Sequence, residues 1–215
     1  MGVFESVSWD VAVIEIVPGL KHYPGYLDAE AQRALLDDLR TMLRVAPLFT
    51  PRMPRTGKPF SVRMTNCGPL GWVSDRESGY RYQAMHPETG APWPAMPAVV
   101  RATWEKLCTG APAPEACLVN WYEGAARMGL HQDRDEDALD VPILSMSLGD
   151  TCLFRYGGLT RRDPTKSFRL TSGDVLVIGG PARLLFHGVD RVEAGTSALL
   201  PKGGRINLTV RRVTQ

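Results

Sequence analysis

From about residue 116 to its end, the chain is a succession of short β-prone runs broken by glycine-containing turns. The runs are 117–123, 142–148, 152–156, 167–170, 174–178, 183–187 and 205–212, punctuated by Gly157-Gly158, Ser172-Gly173 and Gly179-Gly180. A run this short cannot bury its apolar side alone, so it needs a partner strand and a covering layer. Strands at this spacing predict a sandwich or jelly roll. The 174–178 run would serve equally as a turn of buried helix, but its flanking glycines favour a strand.

The first half reads differently. Residues 9–19 hold Val11, Val13, Ile14, Ile16 and Val17 and predict an early strand. Asp28 can cap a helix in which Leu35, Leu36, Leu39, Met42 and Leu43 form one apolar stripe. Pro97 opens a second helix, with Val100, Trp104, Leu107 and Cys108 on one side. The segment 46–94 is rich in Pro, Gly and Arg and carries Trp72, Tyr80, Tyr82 and Trp93. It is too long for an idle connection and reads as a binding loop or lid with short strands. The fold class expected is mainly β with flanking helices (α+β), in one domain over 1–215. That suits 215 residues of which 44% are apolar.

Charge and cysteine usage exclude several classes. Twenty-five basic and 23 acidic residues leave a net charge of +2, so any nucleic-acid surface must be a local patch. Cys67, Cys108, Cys117 and Cys152 include no C-x-x-C pair, which argues against a zinc cluster and for buried reduced thiols. No membrane span and no secretory signal is read, so the expected location is cytoplasmic.

Two patterns carry chemistry. In His131-Gln132-Asp133 an extended backbone turns the imidazole and the carboxylate to one face. His187, read as the end of an apolar strand, is the candidate third ligand. Two histidines and a carboxylate on one side of an ion leave positions open opposite, the facial triad of non-haem iron oxygenases. H-x-D alone is a weak signal, and a solvated histidine beside the acidic run Asp135-Glu136-Asp137 is the competing reading. His22 and His86 lack ligand spacing and are expected at the surface.

The second pattern is Arg205-Ile206-Asn207-Leu208-Thr209-Val210-Arg211, where polar and apolar residues alternate without a break. A strand here has one polar and one apolar face. If both faces are covered, the guanidinium groups need an anionic partner, and a dicarboxylate fits their planar fork. If not, this is an edge strand with its polar face in water. Asn120 and Tyr122 alternate in the same way and could face the same cavity.

Together these residues resemble the AlkB family of Fe(II)- and 2-oxoglutarate-dependent dioxygenases. The likeness runs through Met64-Thr65-Asn66-Cys67-Gly68, Leu70-Gly71-Trp72, Pro92-Trp93-Pro94-Ala95-Met96-Pro97, Asn120 with Tyr122, and His131-Gln132-Asp133. It continues through Ser145-Met146-Ser147-Leu148-Gly149, Phe154 with Gly157-Gly158-Leu159, His187-Gly188 and the 205–211 strand. It departs between Thr50 and Phe60, a stretch that looks longer than in the best-known bacterial members, and at Ile178, where those members are expected to carry tryptophan.

The resemblance implies a double-stranded β-helix (a jelly roll) over about 115–213, an N-terminal helical extension, and a nucleotide-recognition lid over 46–94. It implies iron on His131, Asp133 and His187, the residues on which catalysis turns. It implies 2-oxoglutarate held by Arg205 at its distal carboxylate with Asn120 and Tyr122, Asn207 nearby, and Arg211 at the chelating end, with O2 as the other co-substrate. Trp72 and Tyr80 would hold the nucleotide, with Trp72 and His131 sandwiching the base, and Arg134 and Arg161 would lie near the mouth. Asp135 could accept from an exocyclic amine, and lid residues Arg52, Arg55, Lys58, Arg63, Arg76 and Arg81 could meet phosphates.

The implied activity is oxidative demethylation of N1-methyladenine and N3-methylcytosine in DNA, with RNA a second candidate. It releases formaldehyde, succinate and CO2 from a flipped or single-stranded base. The protein would act as a monomer. A hydroxylase of the same fold acting on a protein or metabolite would keep the metal and co-substrate residues without requiring Trp72 or Tyr80. A silent nucleic-acid sensor is the third reading.

Overall fold

The computed structural model describes residues 12–215. In chain order the elements are β1 (Ile14–Val17), β2 (Leu20–Tyr23), α1 (Ala29–Met42), β3 (Arg63–Cys67), β4 (Gly71–Asp75), β5 (Gly79–Gln83), α2 (Ala98–Leu107) and β6 (Ala116–Tyr122). Then follow β7 (Met128–His131), β8 (Ile143–Gly149), β9 (Thr151–Tyr156), β10 (Lys166–Leu170), β11 (Val175–Ile178), β12 (His187–Glu193) and β13 (Arg205–Arg211).

Two antiparallel sheets make a jelly-roll sandwich. The larger has seven strands in the order β1-β2-β11-β8-β13-β6-β3, and the smaller has four in the order β10-β9-β12-β7. β4 and β5 form a separate two-stranded hairpin. In the larger sheet β13 sits between β8 and β6, with Asn207 opposite Ser147 on one side and Asn120 on the other. A period of two then separates the faces. Leu144, Met146, Leu148, Ile206, Leu208 and Val210 are fully buried against the α1 and α2 stripes of Leu35, Leu36, Leu39, Val100 and Trp104. Ser145, Ser147, Arg205, Asn207, Thr209 and Arg211 are left to the inner face, which the smaller sheet covers. Ile206, Leu208 and Val210 belong to a core layer, so β13 is an interior strand and not an edge in water.

α1 forms where the stripe predicts. The Asp28 carboxylate accepts from the Ala31 backbone N–H at 2.8 Å, satisfying one of the helix's free donors. The early strand becomes a hairpin, β1 and β2, across Pro18 and Gly19. Residues 9–11 of that expected strand lie outside the described residues. Within 46–94, β3 is the edge strand of the larger sheet, so part of that segment is scaffold.

Two expectations are corrected. The apolar run before His187 is not a strand. Gly180, at φ +50°, and Pro181 start a short 3-10 turn over Gly180–Ala182, and Leu185 N–H donates to Ala182 O at 3.0 Å. Arg183, buried and bonded to Val141 O at 2.8 Å, pins the run in that turn. The strand starts at His187 and runs on to Glu193. Its charged residues Asp190, Arg191 and Glu193 hide the β signal. Nor are His22 and His86 on the surface. His22 Nε2 lies 3.0 Å from Asp174 Oδ2, and His86 bonds Pro47 O at 2.8 Å while its Nδ1 accepts from the Glu88 and Thr89 backbone. Both are buried: His86 has polar partners on both ring nitrogens, and His22 has a buried carboxylate on Nε2.

All four cysteines are buried and free. Among the described residues no helix is long and apolar enough to cross a membrane.

Candidate metal and co-substrate site

His131 ends β7 and His187 begins β12, and the two are directly paired in the antiparallel register. The strands approach closely there because residue 188 is glycine: a Cβ at Gly188 would lie 2.5 Å from Met128 O and 2.8 Å from Gly129 O. The ring centroids stand 4.6 Å apart. Asp133 follows on the loop after β7. Its carboxylate oxygens lie 3.5 Å from His131 Nε2 and 3.9 Å from His187 Nε2, and one donor atom from each residue falls within 4.8 Å of the others. Each Nδ1 bonds a carbonyl two residues back, Gly129 O at 2.9 Å and Leu185 O at 3.0 Å. Those bonds place the proton on Nδ1 and leave the Nε2 lone pairs directed at a common point. Gln132, between the two, turns the other way and donates to Leu184 O at 2.6 Å, tying β7 to the approach to β12.

The electrostatics suit a cation. Burial pushes the His187 imidazole down to about 4, with the neighbouring His131 acting in the same sense, so it is neutral at pH 7. Burial opposes the charge on Asp133, but Arg211 and the two histidines outweigh it and hold its carboxyl well below the usual range. One imidazole is therefore held as a lone-pair donor beside a carboxylate held as an anion.

The inner face of β13 runs along the same cavity, of about 840 Å³, which Asn120, Tyr122, Ser145, Asn207 and Thr209 also line. Arg205 is 0% exposed. It donates to Ser147 Oγ at 2.8 Å, its Nε has no partner, and among the described residues no carboxylate lies within ion-pair distance of it. An unpaired buried guanidinium is costly, so this one calls for an anion from outside the chain. Arg211 differs. It pairs with Asp133 Oδ2 at 2.8 Å and with Glu136 Oε1 at 3.2 Å, leaving its buried Nη1 without a partner. Asn207 is held by Ser145 and Thr209, both at 3.0 Å. A two-histidine, one-carboxylate donor set beside two buried guanidiniums with free N–H groups fits a divalent transition-metal ion and a dicarboxylate.

At the mouth, Trp72 and Tyr80 stack at 5.5 Å between centroids, and Trp72 Nε1 donates to Asp135 Oδ2 at 2.9 Å. Arg134 and Arg161 also line the cavity, Arg161 lying 5.2 Å over the Phe186 ring. Of the lid cations, Arg63 and Arg81 are bound to Glu123 and Asp75. Arg52, Arg55, Lys58 and Arg76 are exposed and make no ion pair among the described residues.

Sequence reasoning missed Ser145 as a cavity residue and Ser147 as the acceptor of Arg205, although their alternation with Leu144, Met146 and Leu148 was readable. It also missed Tyr82, Glu136 and Arg183, which complete a buried network behind Asp133.

A jelly roll with this donor set defines an oxygenase that uses iron and 2-oxoglutarate. The 2OG-Fe(II) oxygenase superfamily model matches residues 19–211, and the chain belongs to that superfamily. Within it the chain belongs to the AlkB family. An "Alpha-ketoglutarate-dependent dioxygenase AlkB homolog" of Caulobacter vibrioides (strain NA1000 / CB15N) is 54% identical over 199 residues, 93% of this chain and 90% of that protein. The "Alpha-ketoglutarate-dependent dioxygenase AlkB" of Escherichia coli (strain K12) is 41% identical, over 85% of each chain. The solved structure of OsALKBH1 matches 94% of this chain and 100% of that one, with TM-score 0.77 and 31% identity. The chain is an Fe(II)/2-oxoglutarate-dependent dioxygenase, with O2 as the other co-substrate.

Proposed function

We propose that the enzyme removes methyl groups from ring nitrogens of nucleic-acid bases, of the N1-methyladenine and N3-methylcytosine type, in DNA and in RNA. The observation that carries this reading is the composition of the cavity mouth. A stacked Trp72–Tyr80 pair and the Asp135 carboxylate share one opening with His131. A flat apolar wall offers a base its lost stacking, and a nearby carboxylate offers an acceptor to an exocyclic amine. A hydroxylase of aliphatic metabolites has no need of either.

In this reading His131, Asp133 and His187 hold the metal. Arg205 pairs with the distal carboxylate of 2-oxoglutarate, supported by Asn120 and Tyr122, and Arg211 faces the chelating end with Asn207 alongside. When bound, iron and 2-oxoglutarate supply an oxidant that hydroxylates the N-methyl carbon, with release of CO2, succinate and finally formaldehyde. The chain's own share is positioning. Arg205 and Arg211 fix the two ends of the co-substrate, the Nδ1 bonds of both histidines fix their rings, and Leu118, Ile143 and Phe154 line the cavity and exclude water. Trp72, Tyr80, Asp135, Arg134 and Arg161 receive the base and its flanking chain. Arg52, Arg55, Lys58 and Arg76, with no internal ion pair, are available to phosphates. The segment 46–94 acts as the lid of a single domain, and the enzyme works as a monomer.

Trp72→Ala tests this reading. Stacking on an aromatic contributes about 1–3 kcal/mol per base, so demethylation of a methylated oligonucleotide should fall by roughly one to two powers of ten. Succinate formation without nucleic acid, at saturating 2-oxoglutarate, and the melting temperature should stay near wild type. If demethylation is unchanged, the substrate is not a stacked base. If melting temperature and both activities fall together, Trp72 braces the lid instead.

A further inference from the structure

The network behind Asp133 extends out of the catalytic core into the lid. Glu136, three residues after Asp133, is 5% exposed and lies between two guanidiniums, with Arg183 Nη2 at 3.1 Å and Arg211 Nε at 3.2 Å. Arg183 also donates to the Asp133 carbonyl, so it holds the backbone of the ligand loop. The remaining partner of Glu136 is Tyr82, whose hydroxyl donates to Oε1. Tyr82 belongs to β5 of the hairpin and is the cross-strand neighbour of Trp72 on β4. Cross-strand neighbours project to the same side of a sheet. The hairpin thus reaches the 131–136 segment through two adjacent carboxylates, Trp72 to Asp135 and Tyr82 to Glu136.

The consequence lies at Arg211. Its Nε and Nη2 both donate to Asp133 Oδ2, at 3.3 and 2.8 Å, and Glu136 Oε1 stands in ion-pair contact with Nε at 3.2 Å, which leaves Nη1 unpartnered. A planar fork held along one edge presents its remaining N–H groups in a fixed direction. Glu136 shares the Nε side of this fork with Asp133, so moving Glu136 shifts the group assigned above to the co-substrate. The hairpin bonds Glu136 directly through Tyr82.

We propose that Tyr82 and Glu136 form a positioning pair that couples the seating of the β4–β5 hairpin to the orientation of Arg211, so that 2-oxoglutarate binding and closure of the lid reinforce each other. The coupling is reciprocal: a seated hairpin raises affinity for 2-oxoglutarate, and bound 2-oxoglutarate holds the hairpin down by the same factor. Tyr82 does not line the cavity, and its effect passes through Glu136 to Arg211. The inference rests on the assignment of Arg211 to 2-oxoglutarate made above.

The test uses the full chain loaded with Mn(II), which occupies an iron site without turnover. Tyr82→Phe removes only the hydroxyl and keeps the ring. Calorimetry should show Mn(II) affinity within about twofold of wild type and 2-oxoglutarate affinity weakened on the order of fivefold. In steady state with Fe(II), the KM for 2-oxoglutarate should rise while kcat changes little. 2-Oxoglutarate should slow trypsin cleavage at the exposed Arg55 and Arg76 of the wild type, and this protection should be lost in Tyr82→Phe. Asp75→Asn serves as a control, because Asp75 braces the far end of the hairpin through Arg81 and the Glu77 and Ser78 backbone. It should leave 2-oxoglutarate affinity unchanged. Wild-type 2-oxoglutarate affinity in Tyr82→Phe would overturn the coupling, as would an equal loss in Asp75→Asn, which would mean that any loosening of the hairpin suffices. Arg211→Lys is measured in parallel. If it leaves 2-oxoglutarate binding intact, the site assignment fails and the coupling with it. If it weakens binding while Tyr82→Phe does not, the coupling alone fails.

Discussion

Arg205 and Arg211 lie on the same face of one strand, six residues apart, yet their surroundings differ. Arg211 is neutralised inside the chain by Asp133 and Glu136, whereas among the described residues Arg205 meets Ser147, the Asp150 carbonyl and Asn207 and no carboxylate. In the proposed reading the co-substrate supplies the counter-charge for Arg205. Arg205→Lys should weaken 2-oxoglutarate by roughly one to two powers of ten, because lysine loses the bidentate fork, while affinity for a methylated oligonucleotide stays the same. Calorimetric titration of each ligand separately checks this, and unchanged 2-oxoglutarate affinity would move the dicarboxylate elsewhere. The alternation of β13 was legible in the sequence, but its meaning was not. Alternation alone cannot say whether the apolar face is covered, and that is decided by α1 and α2, far away in the chain. Glu136 was illegible for a related reason. It stands in an acidic run that looks like solvated surface, and only the fold brings Arg183 and Tyr82 against it.

At the scale of elements, the short β-prone runs between turns were read close to their bounds: β6, β8, β9, β10, β11 and β13. The errors fell where a side chain's tertiary partner overrides local pattern. Arg183 holds an apolar run in a turn, and β12 carries three charged residues. His22 shows the same effect on β2. It was read as exposed because its partner, Asp174, is 152 residues away. Asp174 accepts from His22, from Gly25 N–H at 2.9 Å and from Thr171 N–H at 2.8 Å, joining β2 to the turn before β11. Burial raises its pKa, but these three hydrogen bonds outweigh burial and hold the carboxyl below its ordinary value. A folded-state pKa below the unfolded one gives stability that is present above the unfolded value and is lost as pH falls through the folded one. Asp174→Asn should therefore cost about 1–3 kcal/mol at neutral pH. It should also flatten the loss of stability that the wild type shows below roughly pH 4. Urea melts of both proteins across that range decide the matter. A parallel decline with acid would show that Asp174 does not control it.

For the molecule as a whole, the division of labour follows from the two faces of the larger sheet. The outer face supplies stability through the helices. The inner face carries polar groups that are costly to bury, and the smaller sheet completes the site by bringing His131 and His187 into register. The hairpin β4–β5 adds the aromatic mouth, which in the proposed reading directs the iron and 2-oxoglutarate core at a base. The ordered motif set made the family legible in the sequence. The links between lid and core were not legible, since they join residues 72 and 82 to residues 135 and 136 only through the folded chain. The most direct test of the central claim is a product balance on an N1-methyladenine oligonucleotide with Fe(II), 2-oxoglutarate and O2. The account predicts one formaldehyde and one unmodified adenine per methyl group lost. Both should be abolished by chelating the iron or by His187→Ala, with the circular dichroism spectrum of that variant unchanged. Succinate formed without any formaldehyde from the oligonucleotide would contradict it, since the iron and co-substrate chemistry would then be serving a different substrate.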